Sequence, residues 1–194
     1  HVTAAGWSVT IRRIAEFMAL LLPWMLVLFL PVLLSVLFGS SDLFHWNDRE
    51  VMNPESEHFN ALLAKKEPYL NSSFFGVRAV LYFAIWFLLV RYLVSKSLEQ
   101  DTTGNPELTN KMQSFGAPAL VLFALTLSFA AFDWLMSLDA EWFSTIFGVY
   151  YFAGCALGFF ATATLIAMWL HSTGRLTHAI TIEHYHDMGK FLFG

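Results

Sequence analysis

The sequence predicts an all-α integral membrane protein with four transmembrane helices packed as a bundle, and a fifth helix beginning at the C-terminal end. The 194 residues are 57% hydrophobic and only 13% charged, whereas a soluble domain carries about 25% charged residues. Four apolar stretches are long enough to cross a hydrocarbon core, which takes about 20 helical residues. Because a span in lipid must satisfy its own backbone hydrogen bonds, each stretch is expected to be helical.

The predicted spans cover residues 17–38, 74–94, 115–138 and 143–170, with an outer loop over residues 39–73. Together, residues 1–194 form one polytopic membrane domain. The chain begins without Met and ends on an apolar run. We therefore expect it to be an internal piece of a longer membrane protein.

Local signals refine this outline. Pro23 and Pro31 are expected to bend the first span, since proline removes a backbone hydrogen bond. Apolar residues at helical spacing predict a short interfacial helix within residues 55–67. Asn71 and the two serines after it are candidate N-caps for the second span. The polar, turn-rich residues 95–110 predict a solvated connection between the second and third spans.

Charge predicts the orientation and excludes some functions. The side that holds the N-terminal end carries seven basic residues against four on the other side, so the positive-inside rule puts that end in the cytoplasm. The seven are Arg12, Arg13, Arg91, Lys96, Lys111, Arg175 and Lys190, and the four are Arg49, Lys65, Lys66 and Arg78. A net charge of −4 offers no basic surface for nucleic acid. The single cysteine, Cys155, excludes an internal disulfide or a cysteine-ligated cluster.

The positions of the histidines show whether the predicted spans could hold a haem. A membrane b-type cytochrome holds haem with histidines that project from its helices. None of the seven histidines here lies inside a predicted span. They are His1, His45, His58, His171, His178, His184 and His186. We therefore expect no haem on this chain, and we assign no metal ligand and no catalytic residue to it.

Asp133 is the acidic residue inside a predicted span, near the outer end of the third. A carboxylate in a membrane costs about 2.5–3.5 kcal/mol on insertion scales and usually marks a functional site or an ion pair. Asp133 is either part of a proton relay or the partner of Arg78 in an ion pair, and the sequence favours neither role. Asp139 and Glu141 follow beside two tryptophans, Trp134 and Trp142, which predict an interfacial belt. The two carboxylates are either merely solvated or part of an acidic ladder with Asp133.

A second cluster of titratable residues precedes the C-terminal apolar run. Glu183 and Asp187 share a helix face, and so do His186 and Lys190. His184 and His186 diverge around a helix, which argues against joint metal ligation. The cluster fits proton uptake from the cytoplasmic side, a hydrogen-bonding site for a quinone head group, or simply a charged inner rim.

The fourth span contains Gly154 and Gly158. Small residues four apart allow close contact between transmembrane helices, so we interpret this pair as a packing face.

Several longer motifs match a known family. The most specific are FDWLMSLD at residues 132–139, WFSTIFGVY at 142–150 and EHYHD at 183–187. Further matches are residues 6–8, 11–13, 43–46, 68–71 with 74–75, and 97–101. On these motifs, which extend over nearly the whole chain, the protein resembles the ActF-type membrane subunit of bacterial alternative complex III. That complex is a quinol:electron-acceptor oxidoreductase, and the subunit is related to the polysulfide reductase membrane subunit family.

The resemblance implies a multi-pass subunit of the bacterial inner membrane that carries no redox centre. Its partners would be a paralogous membrane subunit, an iron–sulfur protein and c-type cytochromes, which would hold the haem c and the iron–sulfur clusters. Quinone is a possible ligand, with no residues assigned to it. By position, Asp133 and Asp139 would belong to an outer proton path, and His184, His186 and Asp187 to an inner one. A purely structural membrane anchor is the alternative.

Overall fold

The computed structural model describes residues 7–176 and 179–193, and in these ranges every regular element is a helix. The α-helices are Trp7–Ala19 (α1), Leu22–Leu37 (α2), Arg49–Met52 (α3), Ala61–Lys66 (α4), Ser72–Thr103 (α5), Glu107–Trp134 (α6), Phe147–Ser172 (α7) and Ile182–Phe193 (α8). Short 3₁₀ helices cover His45–Asn47 and Met136–Asp139. His1 and His178 lie outside the described residues.

Four helical segments are long and apolar enough to cross a membrane, as the sequence predicts. They are Val9–Leu37, Ser72–Thr103, Glu107–Asp139 and Phe147–Ser172. The chain is a multi-pass helical membrane protein. Helix α8 begins at Ile182, before the apolar run where the sequence predicts a fifth transmembrane helix to begin, and it is not one of the four candidate spans.

The first span is interrupted rather than continuous. Helix α1 ends at Ala19 and α2 begins at Leu22, with a turn at the two leucines between them. Pro23 accounts for the break, because its ring would clash with the carbonyl of Ala19 in an unbroken helix and it has no N–H to donate. Pro31 remains inside α2.

The connection between the second and third spans is much shorter than predicted. Helix α5 runs to Thr103 and α6 begins at Glu107, so the interpretation of residues 95–110 as a solvated loop is wrong. A Lys96–Glu99 pair at three-residue spacing supports the extra helical turns. Gly104 then ends the helix with a φ of 65°, a conformation that glycine adopts without steric cost.

The polar loop before α5 has the predicted short helix. Helix α4 begins after Asn60, whose side-chain oxygen accepts hydrogen bonds from the backbone N–H groups of Leu62 and Leu63. Asn71 is the predicted cap of α5, accepting from the Phe74 N–H at 2.9 Å. Both asparagines satisfy N–H groups that a helix start leaves without intrahelical partners.

The chain divides into two compact units. The first unit comprises His1–Leu22, Leu88–Leu122 and Phe152–Gly194, and the second comprises Pro23–Phe87 and Phe123–Tyr151. The core of the first unit consists of Ile11, Ile14, Ala163, Ala167, Ile180 and Met188. The core of the second consists of Leu33, Val36, Phe44, Trp46, Val51, Leu63, Leu70, Phe75, Ala79 and Ala140.

Helix packing in the chain uses a different glycine from the predicted ones. Gly154 and Gly158 are exposed, and a Cβ added at either would meet nothing within 4 Å. Within the described part of this chain, neither glycine lies against another helix, and their role in helix packing stays a prediction. Gly148 is a packing glycine, since an added Cβ would lie 2.7 Å from Cβ of Ser128. The first turn of α7 therefore packs closely against α6 at Ser128.

Candidate functional site

The candidate site lies in the second unit, where helices α5 and α6 each contribute a charged residue. Arg78 is in the second turn of α5, and Asp133 is the next-to-last residue of α6. The Asn71 cap fixes where α5 begins. Arg78 and Tyr82, four residues apart, therefore lie on one face of α5. Both side chains reach Asp133.

The two charges form a bidentate ion pair. Arg78 Nε donates to Asp133 Oδ2 at 2.7 Å, and Arg78 Nη2 donates to Oδ1 at 3.1 Å. Asp133 is 1% exposed and Arg78 is 6% exposed. Two parallel N–H···O bonds to a carboxylate are the strongest and most directional form of such a pair. The structure thus forms the predicted ion pair, and it leaves the relay role of Asp133 a hypothesis.

Further hydrogen bonds complete the assembly. The Tyr82 hydroxyl donates to Asp133 Oδ2 at 2.7 Å, so this carboxylate accepts three hydrogen bonds. Arg78 Nη1 donates to the backbone carbonyl of Tyr69 at 2.9 Å. The Ser137 hydroxyl donates to the Asp133 carbonyl. Buried charges are tolerated when their donors and acceptors are satisfied in this way.

Aromatic rings surround the guanidinium. Arg78 Cζ lies 4.0 Å from the ring centre of Tyr69 and 4.3 Å from that of Phe74, close enough for cation–π attraction. Burial raises the pKa of Tyr69 to about 12, and the negative charge of Asp133 adds to this increase. Tyr69 therefore stays neutral and protonated beside the ion pair.

An apolar wall isolates the assembly from water. Trp134 follows Asp133 and lies with its ring centre 4.4 Å from Phe29 and 5.5 Å from Phe83. Trp86 is 5.8 Å away. The prediction of an interfacial belt is wrong for Trp134, because helix α6 turns this ring into the aromatic core. Trp142, by contrast, is half exposed.

The two outer carboxylates have local roles. Asp139 accepts from the backbone N–H groups of Glu141 and Trp142, both at 3.3 Å, and so stabilises the turn after α6. Glu141 accepts from the Asn60 side chain at 2.5 Å. Both carboxylates are exposed, whereas Asp133 is buried. The described hydrogen bonds therefore do not join the three into the hypothesised ladder.

The C-terminal cluster lies on α8 in the first unit and is largely exposed. His184 Nδ1 accepts from the Thr181 N–H at 3.2 Å and meets the Thr181 hydroxyl at 2.9 Å, so it caps the helix. Asp187 pairs with Lys190 at 3.0 Å. Glu183 and His186 are exposed on the same helix. The structure brings these residues onto one short helix but does not gather them around one point.

The structure places His171 inside a candidate span, whereas the spans predicted from the sequence contain no histidine. Helix α7 continues to Ser172, so His171 is in its last turn rather than beyond it. This side chain is exposed at the end of the helix, far in sequence from the middle of the span. In the part of the chain that the structure describes, no group of three or more His, Cys, Asp or Glu could hold a metal ion.

Sequence reasoning missed two residues. Tyr82 has a usable signal, because it follows Arg78 by four residues and must share its face. Glu16 is the residue before the predicted first span and is buried in the first unit. Its Oε2 accepts from Arg13 at 2.6 Å, while Oε1 has no hydrogen-bond partner among the described residues. Arg13 also pairs with Asp101.

The fold and site define a multi-pass helical membrane protein with a buried arginine–aspartate–tyrosine assembly. The sequence matches no protein-family model and no curated protein.

Proposed function

We propose that the chain is a non-haem integral-membrane subunit of a respiratory quinol:electron-acceptor oxidoreductase in the bacterial inner membrane. Its contribution would be a proton pathway, quinone binding, or both. The motif resemblance to the ActF-type subunit of alternative complex III supports the identity of the complex. Four apolar helices support the membrane location. Haem c and iron–sulfur clusters would belong to the partner subunits.

The observation that carries the proton-path role is the buried assembly of Arg78, Asp133 and Tyr82. Asp133 lies inside a candidate span and is almost completely shielded from solvent. Ionisable groups in this setting are rare, and they commonly mark ion or proton pathways. The Tyr82 hydroxyl offers a second group that can both donate and accept a proton.

The chemistry is a change in the charge of one carboxylate. A proton taken up by Asp133 neutralises it and weakens its attraction to Arg78. The guanidinium keeps its hydrogen bond to the Tyr69 carbonyl and its contacts with two aromatic rings, so it does not require Asp133 alone as a partner. Loss of the proton restores the ion pair. The assembly can therefore hold or release one proton without the helices separating.

The test is Asp133→Asn in the intact complex. Asparagine has nearly the same shape but cannot take up and release a proton, so the number of protons translocated per electron should fall. Haem content and subunit composition should not change, which separates this effect from loss of assembly. Asp42→Asn, at an exposed aspartate in the loop before α3, is the matched control. An unaltered proton-to-electron ratio in Asp133→Asn would remove the relay role.

A structural anchor is the second candidate, and the complete pairing of Asp133 favours it. Three donors already satisfy the carboxylate, as expected of a fixed structural ion pair. The exposed glycine face of α7 gives this candidate its own test. Bulky replacements at Gly154 or Gly158 should then disassemble the complex, while substitutions at His184, His186 or Asp187 alter neither turnover nor coupling.

A further inference from the structure

A cleft of about 420 Å³ opens in the second unit, between the loop before α5 and the segment after α6. Besides smaller and aliphatic residues, its lining includes two basic residues and four large aromatic residues. These are Lys65, Lys66, Tyr69, Phe132, Trp142 and Phe143. No carboxylate is among the described residues that line it.

Both lysines have hydrogen-bond donors to spare. Lys65, in the last turn of α4, is exposed. Lys66 donates to the backbone carbonyl of Ala140, which leaves two of its three N–H groups for another acceptor. The ion pairs within the described residues involve other side chains. Two adjacent positive charges therefore lie at this cleft without a carboxylate partner.

The cleft lies where candidate spans end. One span begins at Ser72, two residues after the lining residue Leu70, and another ends at Asp139, next to the lining residue Ala140. The ends of membrane-spanning helices lie at the depth of the lipid head groups, where tryptophan, tyrosine and lysine are favoured. Trp142 and Phe143 are both at least half exposed there. The lining therefore combines charged and apolar surface at the depth where a phospholipid changes from its charged head group to its acyl chains.

We propose that this cleft binds one anionic phospholipid. Lys65 and Lys66 hold the phosphate, and the rings of Tyr69, Trp142 and Phe143 cover the glycerol and the first acyl carbons. A quinone is uncharged and does not match two lysines. A free phosphate ion would leave the aromatic wall uncovered.

The test measures retained lipid on the intact membrane protein, purified in mild detergent and delipidated. Phosphatidylglycerol is added back, and bound lipid is counted by native mass spectrometry. Lys65→Gln with Lys66→Gln should weaken binding by about tenfold or more, since each basic residue near a membrane surface attracts an anionic lipid head group. Lys65→Arg with Lys66→Arg should retain it. Lys111→Gln, an exposed lysine of the first unit, is the matched control and should not change it.

Other outcomes overturn the proposal. These are equal retention in the double glutamine variant, equal binding of zwitterionic phosphatidylcholine, displacement by inorganic phosphate alone, or a quinone bound in place of the lipid. Because Lys66 also contacts Ala140, the double variant could unfold. Lys65→Gln alone removes only an exposed charge, and it should still weaken phosphatidylglycerol binding several-fold while the unfolding temperature is unchanged.

Discussion

The two units of this protein differ in how deeply their ion pairs are buried. In the second unit, Arg78 and Asp133 are buried and joined by two hydrogen bonds, although they are far apart in sequence. Among the described residues, the ion pairs of the first unit are more exposed, and apart from Arg13 with Asp101 they are local. Examples are Lys96 with Glu99 and Lys190 with Asp187, each three residues apart on one helix.

The difference shows where charge constrains the fold. Breaking a buried pair leaves one charge without water and without a partner, whereas an exposed pair exchanges its partner for water. Both units also bury polar atoms that have no hydrogen-bond partner among the described residues. These are Glu16 Oε1 and the Tyr185 hydroxyl in the first unit, and Nε1 of Trp46 and of Trp134 in the second. The units therefore differ in the burial of their ion pairs: the pair in the second unit is shielded from water, whereas those described in the first unit lie nearer to solvent.

The largest expected effect is that of Arg78→Leu. It leaves the Asp133 carboxylate buried without its counter-charge and should lower the free energy of unfolding by about 3–5 kcal/mol. Lys190→Leu, which breaks an exposed pair of the first unit, should cost below about 1 kcal/mol. Unfolding of the detergent-solubilised protein by sodium dodecyl sulfate measures both. Equal losses in the two variants would contradict the contrast between the units.

Removing one tyrosine hydroxyl from each unit tests the same difference between the units. Tyr82→Phe removes a hydrogen bond to a charged carboxylate and should cost about 1.5–3 kcal/mol. Tyr185→Phe removes a buried hydroxyl without a described partner, so it should be neutral or slightly stabilising. The same unfolding titration applies. A larger loss for Tyr185→Phe than for Tyr82→Phe would contradict this difference between the units.

Substitution of two glycines of helix α7, one in each unit, tests how tightly the helix packs there. Gly148→Ala puts a Cβ 2.7 Å from Ser128 Cβ and close to its backbone, so it should cost about 1–3 kcal/mol through overpacking. Gly158→Ala meets nothing within 4 Å and should not destabilise the isolated chain. Thermal unfolding of both variants is the measurement. Tolerance at Gly148 would show that the start of α7 has room to shift.

The smallest expected effect is the titration of Tyr69. Burial and the charge of Asp133 raise its pKa from 10.0 to about 12. The protonated phenol is thus favoured in the folded state, so its contribution to stability is complete below pH 10 and is lost as the pH rises through about 12. The difference in near-ultraviolet absorbance between wild type and Tyr69→Phe should show this late titration. A midpoint near 10 would mean that the Tyr69 ring is solvated.

Sequence reasoning was most successful where the signal was local. The cap at Asn71 and the short helix α4 were both predicted from local sequence, because they depend on side chains and backbone groups that are neighbours in the chain. It failed for residues 95–110, because their polarity signals exposure to water and an exposed helix is as polar as a loop. It failed at Trp134 because amino-acid type does not say which way a helix turns a side chain. Tyr82 could have been found from its spacing to Arg78.

By itself, the sequence determined the class of the protein, since hydropathy adds up over each span regardless of what packs beside it. Only the tertiary structure decided which charges meet. The register and rotation of α5 and α6 bring Arg78, Tyr82 and Asp133 together, while a Cβ added at Gly154 or Gly158 of α7 would meet no other described side chain within 4 Å. Helix register and rotation depend on how two helices pack together, so they cannot be read from the sequence of either helix alone.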